Sequence, residues 1–382
     1  MESLNFIIQY AVPFLAILTV LVFVHELGHF LVARWNGVKV EVFSVGFGRE
    51  LWGFDDKHGT RWRLSAVPLG GYVKMFGERD TVSVSDSVSG DDDERPMTEA
   101  ETRVSFHHKK LRQRSAIVVA GPLANFLFAV LVFWIMNAMF GIPKILSAVG
   151  TVMPNTAAED AGLQAGDLVV SINGQPITLF RELSEIVSVN ANVALDFEIL
   201  RGDQVVRVQA TPREWKDPGE NAADQAAGPS RGLLGVRPSM EMVQTTRTGV
   251  VEGLKLGFEQ TYFYSAKILA GVGEMFSGER SSKELGGVLS IAQFSGEAAQ
   301  SGLVTTLRFL AILSINLGLI NLFPIPVLDG GHLVFYMVEA LRGKPLSEKL
   351  QDYGFRLGLG LVLLLMVFAT WNDLERLIDK FG

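Results

Sequence analysis

Residues 21–35 read Leu21-Val22-Phe23-Val24-His25-Glu26-Leu27-Gly28-His29-Phe30-Leu31-Val32-Ala33-Arg34-Trp35. From about Phe6 to Ala33, His25, Glu26 and His29 are the only interruptions of a stretch without charged side chains. A bilayer-spanning helix needs about 20 apolar residues, so the stretch is long enough to cross. Ionisable groups inside such a span cost on the order of 2–3 kcal/mol each even on favourable scales, and they face a cavity or a partner. Histidines at i and i+4 share one helix face, so both imidazoles can reach one ion. Glu26 lies beside them, placed to take a proton from an activated water. The pattern predicts a metal site carried on a transmembrane helix. No Lys or Arg precedes the run and no small-residue cleavage site ends it, so it reads as a retained span, residues 1–34, and not as a discarded signal.

Three further segments match it: Ser115 to Pro143, without a charged residue; Phe309 to Leu328, between Arg308 and Asp329; and a shorter one from about Leu357 to Trp371. The expected spans are therefore 1–34, 115–143, 309–329 and 357–373. Lys and Arg set orientation. Arg34, Lys39, Lys109, Lys110, Arg112, Arg114, Arg342, Lys344 and Lys349 all fall on one side if both termini lie on the other. That predicts termini outside the cytoplasm, with residues 35–114 and 330–356 inside, the latter as a loop. The spans holding the HExxH motif and Asp329 then both run inward, which brings their ends to similar depth.

Catalytic zinc takes three protein ligands and leaves a position for water. There are no cysteines, so ligands must be His, Asp or Glu. His58, His107 and His108 lie in polar sequence and read as solvated. Asp329 belongs to Asn321-Leu322-Phe323-Pro324-Ile325-Pro326-Val327-Leu328-Asp329-Gly330-Gly331-His332, where two prolines break the third span at membrane depth. Asp329 is the preferred third ligand and His332, one turn on, its rival. Asn321 could bind a substrate backbone or satisfy carbonyls freed by the break.

Outside the spans, residues 35–76 alternate apolar and polar, as in Val38-Lys39-Val40-Glu41-Val42, and predict short strands. The Ser- and Asp-rich residues 77–114 begin as a solvated linker. Residues 148–240 form an outer domain with Ala161-Gly162-Leu163-Gln164-Ala165-Gly166-Asp167, a short helix and turn, and Asn173-Gly174, a hairpin turn. Its pattern resembles a PDZ domain of bacterial proteases. Asp217 to Pro229 is a Gly/Ala/Asp-rich insertion. Gly232-Leu233-Leu234-Gly235-Val236 reads equally as a carboxylate-binding loop or as a strand and turn. Residues 246–300 read as an amphipathic region on the outer membrane surface, with Leu254, Phe258, Tyr262 and Ile268 on the apolar face of a helix over 246–277.

Mean hydropathy is +0.27 and net charge is −7, with no basic stripe interleaved with aromatics. No nucleic-acid partner is expected. Two other classes remain: a scaffold of the same fold without hydrolysis, against which an intact Glu26 argues, and a metal carrier, against which the lack of inverted repeats argues.

His25-Glu26-Leu27-Gly28-His29, Pro68-Leu69-Gly70-Gly71-Tyr72-Val73-Lys74-Met75, Ala120-Gly121-Pro122-Leu123-Ala124-Asn125-Phe126, the PDZ-like stretch and the Asn321–His332 motif occur in one order. Together they resemble the site-2 protease family of intramembrane zinc metalloproteases, in its RseP-like bacterial form. The resemblance implies a polytopic α-helical membrane protein of about four spans, with a membrane-associated β-rich insertion and an extracytoplasmic PDZ-like α+β domain. It implies zinc on His25, His29 and Asp329, with Glu26 as catalytic base. It also implies substrate contacts at Asn321 and along Gly70, Gly71, Tyr72 and Val73, where an extended substrate would pair. Substrates would be single-pass membrane proteins, such as pre-trimmed anti-sigma factors or remnant signal peptides, cut at a bacterial inner membrane. Other partners implied are membrane lipid and a C-terminal peptide on the PDZ-like domain. RseP is thought of as carrying tandem PDZ domains, and one such pattern is found here.

Overall fold

The computed structural model describes residues 7–77, 97–215, 231–239 and 241–381. Most of the acidic linker and the 217–229 insertion expected above lie outside the described residues. Two compact units share the chain: Asn137–Gly249 forms one, and the segments on either side of it form the other.

The larger unit begins with helix α1 (Val12–Trp35), opened by Pro13, whose fixed φ suits a first helical turn. Two long strands follow, β1 (Val40–Asp55) and β2 (Arg61–Met75). They pair antiparallel twice over: Phe43 faces both Val73 and Trp62, and Trp52 faces Leu64. Each long strand thus bends back, and the pair forms a curved sheet in the order 71–75, 40–45, 61–64, 52–55. After the short helix α2 (Glu99–Val104) comes α3 (Leu111–Phe140), with Pro122 removing one N–H from its ladder.

The smaller unit carries β3 (Ile142–Ile145), β4 (Val149–Val152), α4 (Ala157–Asp160), β5 (Leu168–Ile172), β6 (Gln175–Pro176), α5 (Phe180–Val189), β7 (Leu195–Arg201), β8 (Gln204–Ala210), β9 (Arg213–Trp215), β10 (Arg231–Leu233), β11 (Val236–Pro238) and β12 (Val243–Thr246). A sheet β6-β5-β7-β8 and the pairs β11-β4, β10-β9 and β12-β3 frame it. Val149, Leu163, Val169, Leu183, Val187, Phe197 and Leu234 fill its core. Asn173 and Gly174 take φ of 50° and 74°, as a tight hairpin turn between β5 and β6 requires. The Gly232–Val236 segment joins the end of β10 to the start of β11 through Leu234 and Gly235. Asp167, 1% exposed, accepts hydrogen bonds at 2.8 Å from Arg201 Nε, from an Arg201 terminal nitrogen and from the Gln164 N–H.

Burial pushes the Asp167 carboxyl up, but Arg201 and the Gln164 N–H outweigh it and hold the group below its ordinary value. Its contribution to stability is therefore present above that ordinary value and lost as pH falls through the depressed one. Removing one partner of a buried pair costs about 3–5 kcal/mol, and Arg201 is partly exposed, so Arg201→Ala is expected near the lower end. Hydrogen exchange of β5 and β7 amides at neutral pH measures this, and the difference from the parent chain shrinks as Asp167 protonates.

The larger unit resumes with α6 (Val250–Ser277), α7 (Val288–Gln300), α8 (Leu303–Leu322), α9 (Asp329–Arg342) and α10 (Glu348–Phe381). Among the described residues, four helices are long and apolar enough to cross a membrane: Ile8–Trp35, Leu111–Phe140, Leu303–Leu322 and Lys349–Arg376. The chain is a multi-pass membrane protein.

Four elements differ from the sequence expectation. The third span starts six residues earlier than Phe309 and carries Arg308 within it. The fourth is a 34-residue helix, longer than the expected 357–373. Residues 330–356 are mostly helix instead of loop: Leu333 and Tyr336 pack into the cluster with Phe30, Phe43 and Ile117, and Gly343 at φ 72° ends the helix. The helix expected over 246–277 is present as α6, but it buries Gly253, Gly257 and Thr261, a small-residue face at four-residue spacing. A Cβ on Gly257 would come within 2.9 Å of the Val130 carbonyl, so α6 lies directly on α3. Phe258 and Tyr262 are exposed, while Ile268 packs with Ala311 and Ile315 of α8.

Candidate metal centre

The HExxH turn falls inside α1, and its histidines face α3. His29 Nδ1 donates to the Ile117 carbonyl at 2.8 Å, which leaves Nε2 with its lone pair directed inward. His25 Nε2 lies 3.3 Å from His29 Nε2. Asp329, the first residue of α9, brings Oδ2 to 3.2 Å from His25 Nε2 and 3.5 Å from His29 Nε2. The three form the one His/Asp/Glu cluster with metal-ligand spacing among the described residues.

The donor set fits zinc. Tetrahedral zinc with bonds of about 2.0–2.1 Å sets neighbouring donors about 3.3 Å apart. The observed separations of 3.2, 3.3 and 3.5 Å match that edge. Asp329 Oδ2 is buried and has no hydrogen-bond partner, an orphaned oxygen that a cation satisfies.

Neighbouring helices hold these groups. Gly121 of α3 sits so close that a Cβ there would fall 2.2 Å from His29 Nε2 and 2.9 Å from His25 Cε1. The turn before Asp329 is equally tight: a Cβ on Gly330 would meet the Phe323 carbonyl at 2.2 Å. Val327 is held at φ 146°, an unusual conformation for a β-branched residue, one step before Leu328. Arg114 at the start of α3 bonds Glu339 at 2.5 Å and stacks over Tyr336, which ties α9 to α3. His332 packs against Phe335 and Phe355, outside the cluster.

Glu26 lies next to His25 in the same turn of α1. The charges within its reach are His29, His25 and Asp329. The strand segment carrying Gly70, Gly71, Tyr72 and Val73 runs beside it: a Cβ on Gly71 would meet Val22 Cγ1 at 2.7 Å and Glu26 Cγ at 3.1 Å. Among the described residues, the 71–73 segment pairs on one side only, with residues 43–45. Tyr72 stacks on Phe47 and under Arg63. Asn321 is half-buried in the last turn of α8, and its amide makes no hydrogen bond among the described residues. A bulkier residue at 71 must displace Glu26 or the strand. Gly71→Val is expected to lower peptide cleavage about 10²-fold through misplacement, with bound zinc unchanged; a cleavage assay paired with metal analysis checks it.

Ile117, Gly121 and Asn125 escaped the sequence-level reading as site residues. Gly121 and Asn125 lie in the Ala120–Phe126 motif and Ile117 just before it, but contacts 88 and 100 residues apart in sequence carry no local signal.

The profile of peptidase family M50 matches residues 13–365. The chain belongs to peptidase family M50. A Rhizobium meliloti protein whose name describes a zinc metalloprotease, R01501, is 41% identical over 96% of this chain and 97% of its own length. A similarly named Agrobacterium fabrum protein, Atu1380, is 38% identical over 99% of both chains. Metalloprotease MmpA of Caulobacter vibrioides is 36% identical over 96% of this chain and 95% of its own. A solved PDZ domain of an SdrC-like protein from Listeria monocytogenes aligns with 26% of this chain and 95% of that one, at 16% identity and TM-score 0.21. This M50 chain is a zinc metalloprotease, and the cluster of His25, His29 and Asp329 is its candidate metal centre.

Proposed function

We propose that this M50 metalloprotease hydrolyses single-pass membrane proteins within or near their spans, with zinc on His25, His29 and Asp329 and Glu26 as general base. The observation that carries the reading is three donor atoms 3.2–3.5 Å apart near Glu26, two of them on a helix apolar enough to span a bilayer and the third on Asp329 at the start of α9. When bound, zinc supplies the Lewis acidity that activates water and polarises the scissile carbonyl. Glu26 takes the proton of the attacking water on its carboxylate and delivers it to the leaving amine nitrogen. The edge formed by residues 71–73 receives the substrate as an added extended strand, which exposes its peptide bonds to attack beside Glu26. Asn321 binds substrate backbone with its unpartnered amide.

The flanking Lys and Arg support an orientation with both termini and the PDZ-like unit outside the cytoplasm and the active site near the cytoplasmic face of a bacterial inner membrane. The PDZ-like unit takes a C-terminal peptide of the kind left by a first cleavage. Such substrates include pre-trimmed anti-sigma factors and remnant signal peptides.

The test is direct. The purified chain in proteoliposomes is incubated with labelled single-pass peptides, and products are located by mass spectrometry. Scission inside or within a few residues of the span is expected. Scission only in water-exposed loops would contradict the intramembrane reading.

A further inference from the structure

Asn125 is fully buried on α3, and its side chain faces His25, with Nδ2 assigned 3.1 Å from the ring Nδ1. Its Oδ1 is buried without a hydrogen-bond partner. Its backbone carbonyl accepts from Ser314 Oγ of α8 at 2.8 Å, which pins the residue between helices. The two histidines are therefore oriented by different kinds of group. His29 Nδ1 has a backbone carbonyl, a permanent acceptor, whereas His25 Nδ1 has an amide that presents a donor or an acceptor according to a half-turn of its plane.

This difference matters for the ion. A neutral imidazole carries one proton. With the amide nitrogen toward His25, Nδ1 accepts and the proton sits on Nε2, between the ring and Asp329 Oδ2 3.2 Å away, where a cation belongs. With the amide oxygen toward His25, Nδ1–H donates and Nε2 is free to coordinate. We infer that Asn125 is a positioning residue: its Oδ1 accepts from His25 Nδ1–H and selects the tautomer that binds zinc. The inference rests on the assignment of His25, His29 and Asp329 as the zinc ligands. An outer partner of a metal-bound histidine fixes ring orientation and raises its basicity, and its loss typically weakens metal binding about 10–100-fold.

The test is zinc affinity, measured on the full chain in detergent by competition with a chelator, for the parent, Asn125→Leu, Asn125→Asp and His25→Ala. Leucine keeps the branched shape, adds some bulk and removes the acceptor; aspartate keeps shape and volume and is acceptor only. Asn125→Leu is expected to weaken zinc about 10–100-fold, while Asn125→Asp binds at least as tightly as the parent. A packing role predicts the reverse order, because leucine suits a buried site and a carboxylate does not. Unchanged affinity in Asn125→Leu, or equal losses in the leucine and aspartate variants, overturns the inference. Thermal unfolding identifies a leucine variant that fails to fold, and Asn125→Ala, which lacks the acceptor without added bulk, then takes its place. If His25→Ala keeps its zinc, the ligand assignment fails and the inference with it. If His25→Ala loses zinc and Asn125→Leu does not, the inference alone fails.

Discussion

Glu26→Gln is expected to leave about one zinc per chain and to lower peptide hydrolysis by about 10²–10⁴-fold, the usual contribution of a positioned general base. The amide is isosteric with the carboxylate, so the packing of Val22, Glu26 and Gly71 is preserved. It cannot take a proton from water. The ligand atoms of His25, His29 and Asp329 are untouched, which is why metal content and activity separate. Metal analysis and a single-turnover cleavage assay on the same preparation read the two quantities. Loss of zinc together with activity would mean that Glu26 is structural.

Gly121→Val is expected to do the opposite, removing zinc and activity together. A Cβ at position 121 would lie 2.2 Å from His29 Nε2 and 2.5 Å from its Cε1, far inside contact distance. His29 cannot retreat without breaking its Nδ1 hydrogen bond to Ile117, which belongs to the same helix as Gly121. The ring must leave its place, and a displacement of about 1 Å already costs about 10²-fold in a positioned site. Zinc affinity, measured by chelator competition, is expected to fall by at least that order. Retained affinity would mean that α3 is free to move away from α1.

Much of this was legible in the chain itself. Carboxylate and imidazole groups inside an apolar run are costly enough to demand a common partner, and the i, i+4 spacing names it. Pro324 and Pro326 mark the break that delivers Asp329. What escaped was tertiary. Helix α9 looked like a loop because Gly330, Gly331 and the prolines dominate its approach, whereas its stability comes from Leu333 and Tyr336 packing on distant residues. The surface face assigned to α6 followed its large apolar side chains, while the buried contact uses Gly253, Gly257 and Thr261, which hydropathy undervalues. Gly121 and Asn125 acquire meaning only when α3 lies against α1.

The central claim is the ligand set, and the open choice in the sequence was between Asp329 and His332. Zinc per chain, determined by elemental mass spectrometry on the parent, Asp329→Ala and His332→Ala, decides it. The separations of 3.2 and 3.5 Å from Asp329 to the two histidines predict about one zinc in the parent and in His332→Ala, and little in Asp329→Ala. Zinc retained by Asp329→Ala and lost from His332→Ala would contradict the account.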